Sequence, residues 1–115
     1  MDVIKIQLPS NPIYTQLLRL SSASLANKVG FDVDKVADLQ QVVSEIFTLI
    51  IPSNEKVDIS FTLGESYIKV DFKNLKFVKE DNQNDAIFEI KRQIILYLSD
   101  QLFIEDDKII VVLNK

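Results

Sequence analysis

Residues 57–72 read VDISFTLGESYIKVDF. Val57, Ile59, Phe61 and Leu63 alternate with Asp58, Ser60 and Thr62. Gly64-Glu65 interrupts, and Ile68, Val70 and Phe72 then alternate with Lys69 and Asp71. Successive side chains of a strand point to opposite faces, so each run lays an apolar row on one face and a polar row on the other. Two such runs around a glycine-containing turn predict a β-hairpin. Its apolar face needs a cover, and the flanking sequence has the spacing of helices.

Upstream, Val36, Leu39, Val43, Phe47 and Ile50 recur every three or four residues. That is helical spacing, opened by a cap at Asp32 or Asp34 and stopped by Pro52, because the residue before a proline avoids the helical region. Further upstream, Asn11-Pro12 reads as a helix start: Asn caps free N–H groups, and Pro lacks the one the first turn would waste. Ile13, Leu17, Leu20 and Ser24 line one face of this helix, and Tyr14, Leu18, Leu25 and Val29 widen the stripe. Gly30 supplies the left-handed stop. Val3 to Leu8 alternates, with Ile4, Ile6 and Leu8 on one face, and predicts a half-buried strand.

Downstream, the polar run KEDNQND at 79–85 predicts a surface loop, with Asn84 or Asp85 capping a third helix. Its expected stripe is Ile87, Ile90, Ile94, Tyr97 or Leu98, and Leu102, broken by Asp106-Asp107. Lys108 to Leu113 is the last expected strand. The predicted order is β-α-α-β-β-α-β: an α+β, two-layer sandwich in a single domain over 1–115, with a mixed, mostly antiparallel sheet and helices on one face.

Composition narrows the function. The chain has 115 residues, 47% of them apolar, enough for a core without staples. Its net charge of -4 argues against nucleic acid and against an anionic membrane. It contains no His and no Cys, which removes the imidazole base, the thiolate nucleophile and the zinc cluster. Two glycines, Gly30 and Gly64, are too few and too far apart for a phosphate-cradling loop. The start, MDVIK, has neither the basic nor the apolar region of a secretory signal, and the apolar stretch around Ile46 to Ile51 is too short to span a bilayer. A cytoplasmic location is expected. Glu80, Asp81, Glu105, Asp106 and Asp107 form no twelve-residue calcium loop with a central glycine and read as solvated surface.

The stretches Pro9-Ser10-Asn11-Pro12-Ile13-Tyr14, Leu18-Arg19-Leu20 and Val29-Gly30-Phe31 resemble the start of the anti-sigma-factor serine kinases, which are histidine-kinase-like ATPases of the Bergerat fold. Residues 38–48, DLQQVVSEIFT, are similar to that family's signature helix. The resemblance spans nearly the whole chain and fits the predicted element order.

The resemblance implies an ATP site whose motifs can be read position by position. The first is Glu, three residues, then Asn, where Glu activates the attacking group and Asn holds magnesium. Glu45 is kept, but Leu49 stands at the Asn position and offers no oxygen to a hard cation. The second motif, Asp-x-Gly-x-Gly-Phe, reads adenine. Aligned on Ile68, Val70 and Phe77, it places Phe72 at the Asp and Asn74 and Lys76 at the glycines. The third, a Gly-x-Gly entering the last helix, matches Glu89 and Lys91.

Phosphoryl transfer needs positioning and metal charge. The expectation is therefore no enzyme, no catalytic or metal-binding residue and no cofactor. What the resemblance leaves is a regulatory protein that binds a partner stoichiometrically without ATP. The partner would be a sigma factor or its anti-anti-sigma-type antagonist. Tyr14, Leu18 and Arg19 are the expected contacts, Arg19 because the family carries an Arg at the matching position. A homodimer through the first helix fits its apolar surplus. Two alternatives stand beside this: a nucleotide-binding serine kinase with a site remodelled around Glu45, Asp71 and Lys73, and a structural subunit in which Leu49 and Phe72 fill the former pocket.

Overall fold

The computed structural model describes residues 1–76 and 85–115. The expected loop over 79–85, its cap at Asn84 or the Asp85 side chain, the anchor Phe77, and Glu80 and Asp81 lie outside the described residues.

Strands β1 (Asp2–Pro9), β2 (Lys56–Leu63), β3 (Tyr67–Lys73), β4 (Gln101–Ile104) and β5 (Ile109–Asn114) form one sheet in the order β1-β2-β3-β5-β4. Helices α1 (Thr15–Val29), α2 (Val33–Ile50) and α3 (Asp85–Leu98) complete the described elements. The hairpin is β2–β3, with Phe61 opposite Val70 and Ile59 opposite Phe72. Gly64 donates its N–H to the Tyr67 carbonyl at 2.9 Å. A Cβ at Gly64 would stand 2.2 Å from the Tyr67 ring, so any larger residue there would have to displace that ring.

The apolar rows of β2, β3 and β5 all face the helices: Ile59, Phe61, Ile68, Val70, Phe72, Ile109, Val111 and Leu113 are buried. From the other layer, α2 brings Leu39, Val42, Val43, Ile46, Phe47 and Ile50 onto them. Asp32 caps α2 by accepting the Lys35 N–H at 2.8 Å, and a short 3-10 turn over Ile51–Ser53, containing Pro52, follows its end. Asn11 caps a 3-10 turn, Pro12–Tyr14, that leads into α1. Gly30 ends α1 at φ 91°, in the left-handed region.

Three expectations change. Every strand pairing is antiparallel, not mixed. The third helix stops at Leu98, and Leu102 belongs to a fifth strand, β4, opposite Val111. The reason lies at Asp100: its N–H donates to the Val112 carbonyl at 2.9 Å, and its carboxylate accepts the Asn114 N–H at 2.6 Å. The chain is thereby captured by β5, although its helical periodicity would have run on from Leu98 to Leu102.

The third change concerns which face of α1 and α3 lies inward. On α1 the buried side is Leu18, Ser22 and Ala26, with Tyr14, Leu25 and Val29 packed beside them. Ile13, Leu17 and Leu20 are each at least half exposed. Small side chains let α1 approach α2 closely, and the Ser22 hydroxyl is satisfied by donating to the Leu18 carbonyl at 2.8 Å. On α3, Ile95 is buried and Leu98 packs on the core, while Ile87, Ile90, Ile94 and Tyr97 face outward.

Leu18→Ala should cost about 2–5 kcal/mol of unfolding free energy, the range for emptying a packed site. Leu17→Ala should stay within about 0.5 kcal/mol, as at exposed positions. Urea denaturation of the two variants separates the observed packing from the reverse assignment.

Two carboxyls sit below the usual range. Asp58 is lowered by hydrogen bonds from Gln7 and then Asn74, and Asp100 by the Asn114 backbone N–H and then Lys35. A group depressed in the folded state takes up its proton more readily in the unfolded chain. Its contribution is complete above the ordinary carboxylate pKa and is lost as pH falls through the folded value. Urea midpoints recorded from neutral pH to about pH 3, near the reference carboxylate values, should fall less steeply for Asp100→Asn than for the parent.

Candidate functional site

Glu45 lies on the fourth turn of α2, and its side chain is mostly buried, with 19% exposed. One carboxylate oxygen accepts from Gln41 Nε2 at 2.7 Å, one helical turn back. The other accepts from Lys91 Nζ on α3 at 2.9 Å. Lys91 also donates to Thr48 Oγ1 at 3.2 Å. Glu45, Gln41, Thr48 and Lys91 thus form one network that bridges α2 and α3. Charge-assisted bonds of this length are the strong ones, and partial burial limits their screening.

The neighbouring motif positions divide by environment. Phe72 is fully buried, between Ile59 and Ile109 in the sheet, and Leu49 packs against the same core. Neither presents a polar atom. Asn74 stands in the left-handed region at φ 56°. Asparagine tolerates that conformation better than most residues, and here its Nδ2 donates to Asp58 at 3.1 Å. The backbone therefore keeps, at this position, a geometry that glycine adopts without strain. Lys76 is exposed, and both its backbone groups are held by Asn54: the Lys76 N–H donates to Oδ1 at 2.8 Å, and Asn54 Nδ2 donates to the Lys76 carbonyl at 3.3 Å.

A magnesium–nucleotide site does not fit this set. Leu49 has no ligand atom, Phe72 is locked in the core, and the retained carboxylate is already paired with Lys91. Among the described residues, no group of three or more Asp or Glu side chains could hold a metal ion. The alternative cluster of Glu45, Asp71 and Lys73 is not assembled. Asp71 pairs with Ser60 and Ile110 on the polar row of the sheet, while Glu45 is on a helix covering the opposite face. The partner of Glu45 is Lys91, which the motif alignment places at a glycine position; the signal that could have found it is a cation on α3 at the height of an acid on α2.

The expected contact residues are placed differently from one another. Leu18 is in the core and offers no surface. Tyr14 is half-buried against it. Arg19 reaches across to α2, donating to Ser44 Oγ at 2.9 Å and to the Gln40 carbonyl at 3.3 Å. Gln40 Nε2 donates back to the Arg19 carbonyl at 3.1 Å. The outward surface here is made by Ile13 of the preceding 3-10 turn and by Leu17 and Leu20 of α1, the row expected to face inward.

No family model matches the chain. Among curated proteins it is similar to the serine-protein kinase RsbW of Oceanobacillus iheyensis, 31% identical over 75 residues, covering 60% of this chain and 48% of that one. It is 30% identical over 89 residues to the RsbW of Bacillus thuringiensis strain Al Hakam, covering 65% of this chain and 56% of that one. For the RsbW of Listeria monocytogenes the identity is 31% over 94 residues, 82% of this chain and 59% of that one. The chain spans about half the length of the curated relatives it matches. Among solved structures, the RsbU and RsbW domains of a Mycobacterium tuberculosis protein align with a TM-score of 0.65 at 10% identity, over 99% of this chain and 32% of that one.

The chain thus resembles the anti-sigma-factor serine kinases and has the histidine-kinase-like ATPase fold. The expectation that it is not an enzyme is corrected by the same finding. The relatives at 30–31% identity are named serine-protein kinases, which points to kinase activity.

The Glu45–Lys91 contact is testable apart from any activity. A double-mutant cycle with Glu45→Gln and Lys91→Met should return a coupling of about 1 kcal/mol, within the range for contacting residues. A zero coupling in urea unfolding would show that the contact adds nothing.

Proposed function

We propose that this relative of the anti-sigma-factor serine kinases is a cytoplasmic regulatory protein that acts by binding a protein partner. The observation that carries the reading is the outward apolar row made by Ile13 of the Pro12–Tyr14 turn with Leu17 and Leu20 of α1, next to Arg19. A contiguous exposed apolar patch is one mark of an interaction surface. Arg19 and Gln40 fix α1 to α2, so the row is held at a set angle to the sheet. The partner class is a sigma factor or its anti-anti-sigma-type antagonist, taken from the resembled family. No helix among the described residues is long and apolar enough to cross a membrane.

Phosphoryl transfer is the second reading, favoured by the names of the relatives. Glu45 is the one acidic group this chain has at the family's catalytic position. The residues around it do not fit a magnesium–nucleotide, so this reading rests on that carboxylate and on the relatives' names.

Titration calorimetry of the purified chain against sigma factors and anti-anti-sigma-type proteins of its own organism tests the main reading. One of them should bind, and Leu17→Glu with Leu20→Glu should weaken it at least tenfold, about 1.4 kcal/mol. Binding that ignores both substitutions would move the surface elsewhere. Mass spectrometry for phosphoserine on the bound protein, after incubation with magnesium and ATP, tests the second, with Glu45→Gln as the control.

A further inference from the structure

Strand β1 is an edge of the sheet, and its pairing with β2 fixes which of its backbone groups are used. Ser10 donates its N–H to the Glu55 carbonyl at 3.2 Å. Hydrogen-bonded and non-bonded pairs alternate along an antiparallel ladder, so Leu8, Ile6, Ile4 and Asp2 turn their N–H and C=O toward β2. The hairpin agrees: Gly64 bonds to Tyr67, which leaves Leu63, Phe61, Ile59 and Val57 to face β1. Val3, Lys5 and Gln7 therefore aim their N–H and C=O groups away from the sheet. No backbone bond among the described residues takes them up. Pro9 closes the series, with no N–H and with its carbonyl accepting from Asn11 at 2.8 Å.

This edge is long and regular. It has eight residues, and its register with β2 runs from Asp2 to Pro9 without a bulge. The opposite edge, β4, has four. Short strands and bulges are ordinary means of blunting an edge, and β1 has neither. Its inward side chains Ile4 and Ile6 are only partly covered. Open grooves of about 580 and 300 Å³ lie at its two ends, the first against Asp2, Val29 and Leu63, the second against Gln7, Leu8 and Pro9.

Lys5 decides the occupant. It is the middle of the three free positions, is exposed, and makes no ion pair among the described residues. A second copy pairing antiparallel about the middle of the edge would set Lys5 against Lys5, and like charges directly opposite are destabilising. A carboxylate at that place is favoured. Its two neighbours fall on the inward face, beside Ile4 and Ile6, and suit apolar side chains. From this we infer that the free edge of β1 accepts an extended segment of a partner protein, added antiparallel as a further strand, with an acidic residue opposite Lys5 and an apolar residue on each side of it. In this mode main-chain bonds supply the affinity and side chains the selection. The edge is a separate surface from the Ile13, Leu17 and Leu20 row, and its test does not depend on that row.

The probe is a nine-residue peptide of alternating Thr and Val with a central Glu. It is added to the isotope-labelled full chain up to about 2 mM, a range suited to millimolar dissociation constants. The amide signals of Val3, Lys5 and Gln7 should shift and their hydrogen exchange slow. Ile4 and Ile6, bonded to β2, should exchange slowly with and without the peptide. A central Lys in the peptide should weaken binding roughly threefold, the scale of one cross-strand charge pair. Lys5→Glu, at an exposed position, should reverse that preference. The Glu peptide methylated on its central backbone nitrogen should not bind, a control that leaves the protein unaltered. Three unmoved edge amides at the highest concentration overturn the inference. So do shifts that fall on α1 instead, equal binding of the methylated peptide, or indifference to the central charge.

Discussion

The fold depends on one constraint: a five-stranded antiparallel sheet with a single apolar face must keep that face out of water. Helix α2 meets most of the requirement. Its six fully or nearly fully buried apolar side chains cover the rows from β2, β3 and β5, and α1 and α3 pack against it on either side. Hydrophobic burial of this kind is the main favourable term in folding. Because α2 occupies the centre, α1 and α3 each need to bury only part of their apolar surface. Both retain a row that faces outward.

Much of this was legible in the sequence, and the rest failed for identifiable reasons. The hairpin, α2 and the caps at Asn11, Asp32 and Gly30 follow from alternation, spacing and chain stereochemistry, which are local. The inward face of α1 did not, because the helix has two apolar rows and the larger one looks like core. Ser22 and Ala26 decide the matter by allowing close approach to α2, and small residues carry little weight in a hydrophobic pattern. Strand β4 was hidden for a related reason. Leu98 and Leu102 are in helical register, and the break is made by Asp100 bonding to Asn114 and Val112, contacts distant in sequence.

At the candidate site the sequence named Glu45, Leu49, Phe72 and Asn74, and their environments follow their chemistry. The apolar pair went into the core, and Asn74 took the left-handed backbone where a glycine motif would have stood. What was not read in advance was the salt bridge. An acid on α2 and a lysine on α3 are 46 residues apart, and only the packing of the two helices makes them neighbours. The names of the relatives then overturned an inference drawn from motif loss alone: kinase activity is what those names point to.

The reciprocal bonds between Arg19 and Gln40 have a thermodynamic consequence for recognition. Two helices joined only by apolar contact can roll against each other, and a partner that selects one orientation must supply the ordering cost. Here each residue donates to the other's main-chain carbonyl, so the roll angle of α1 on α2 is set before any encounter. Association at such a surface loses less conformational entropy than at a loose one. It should therefore show a smaller entropic penalty than a segment that folds as it binds.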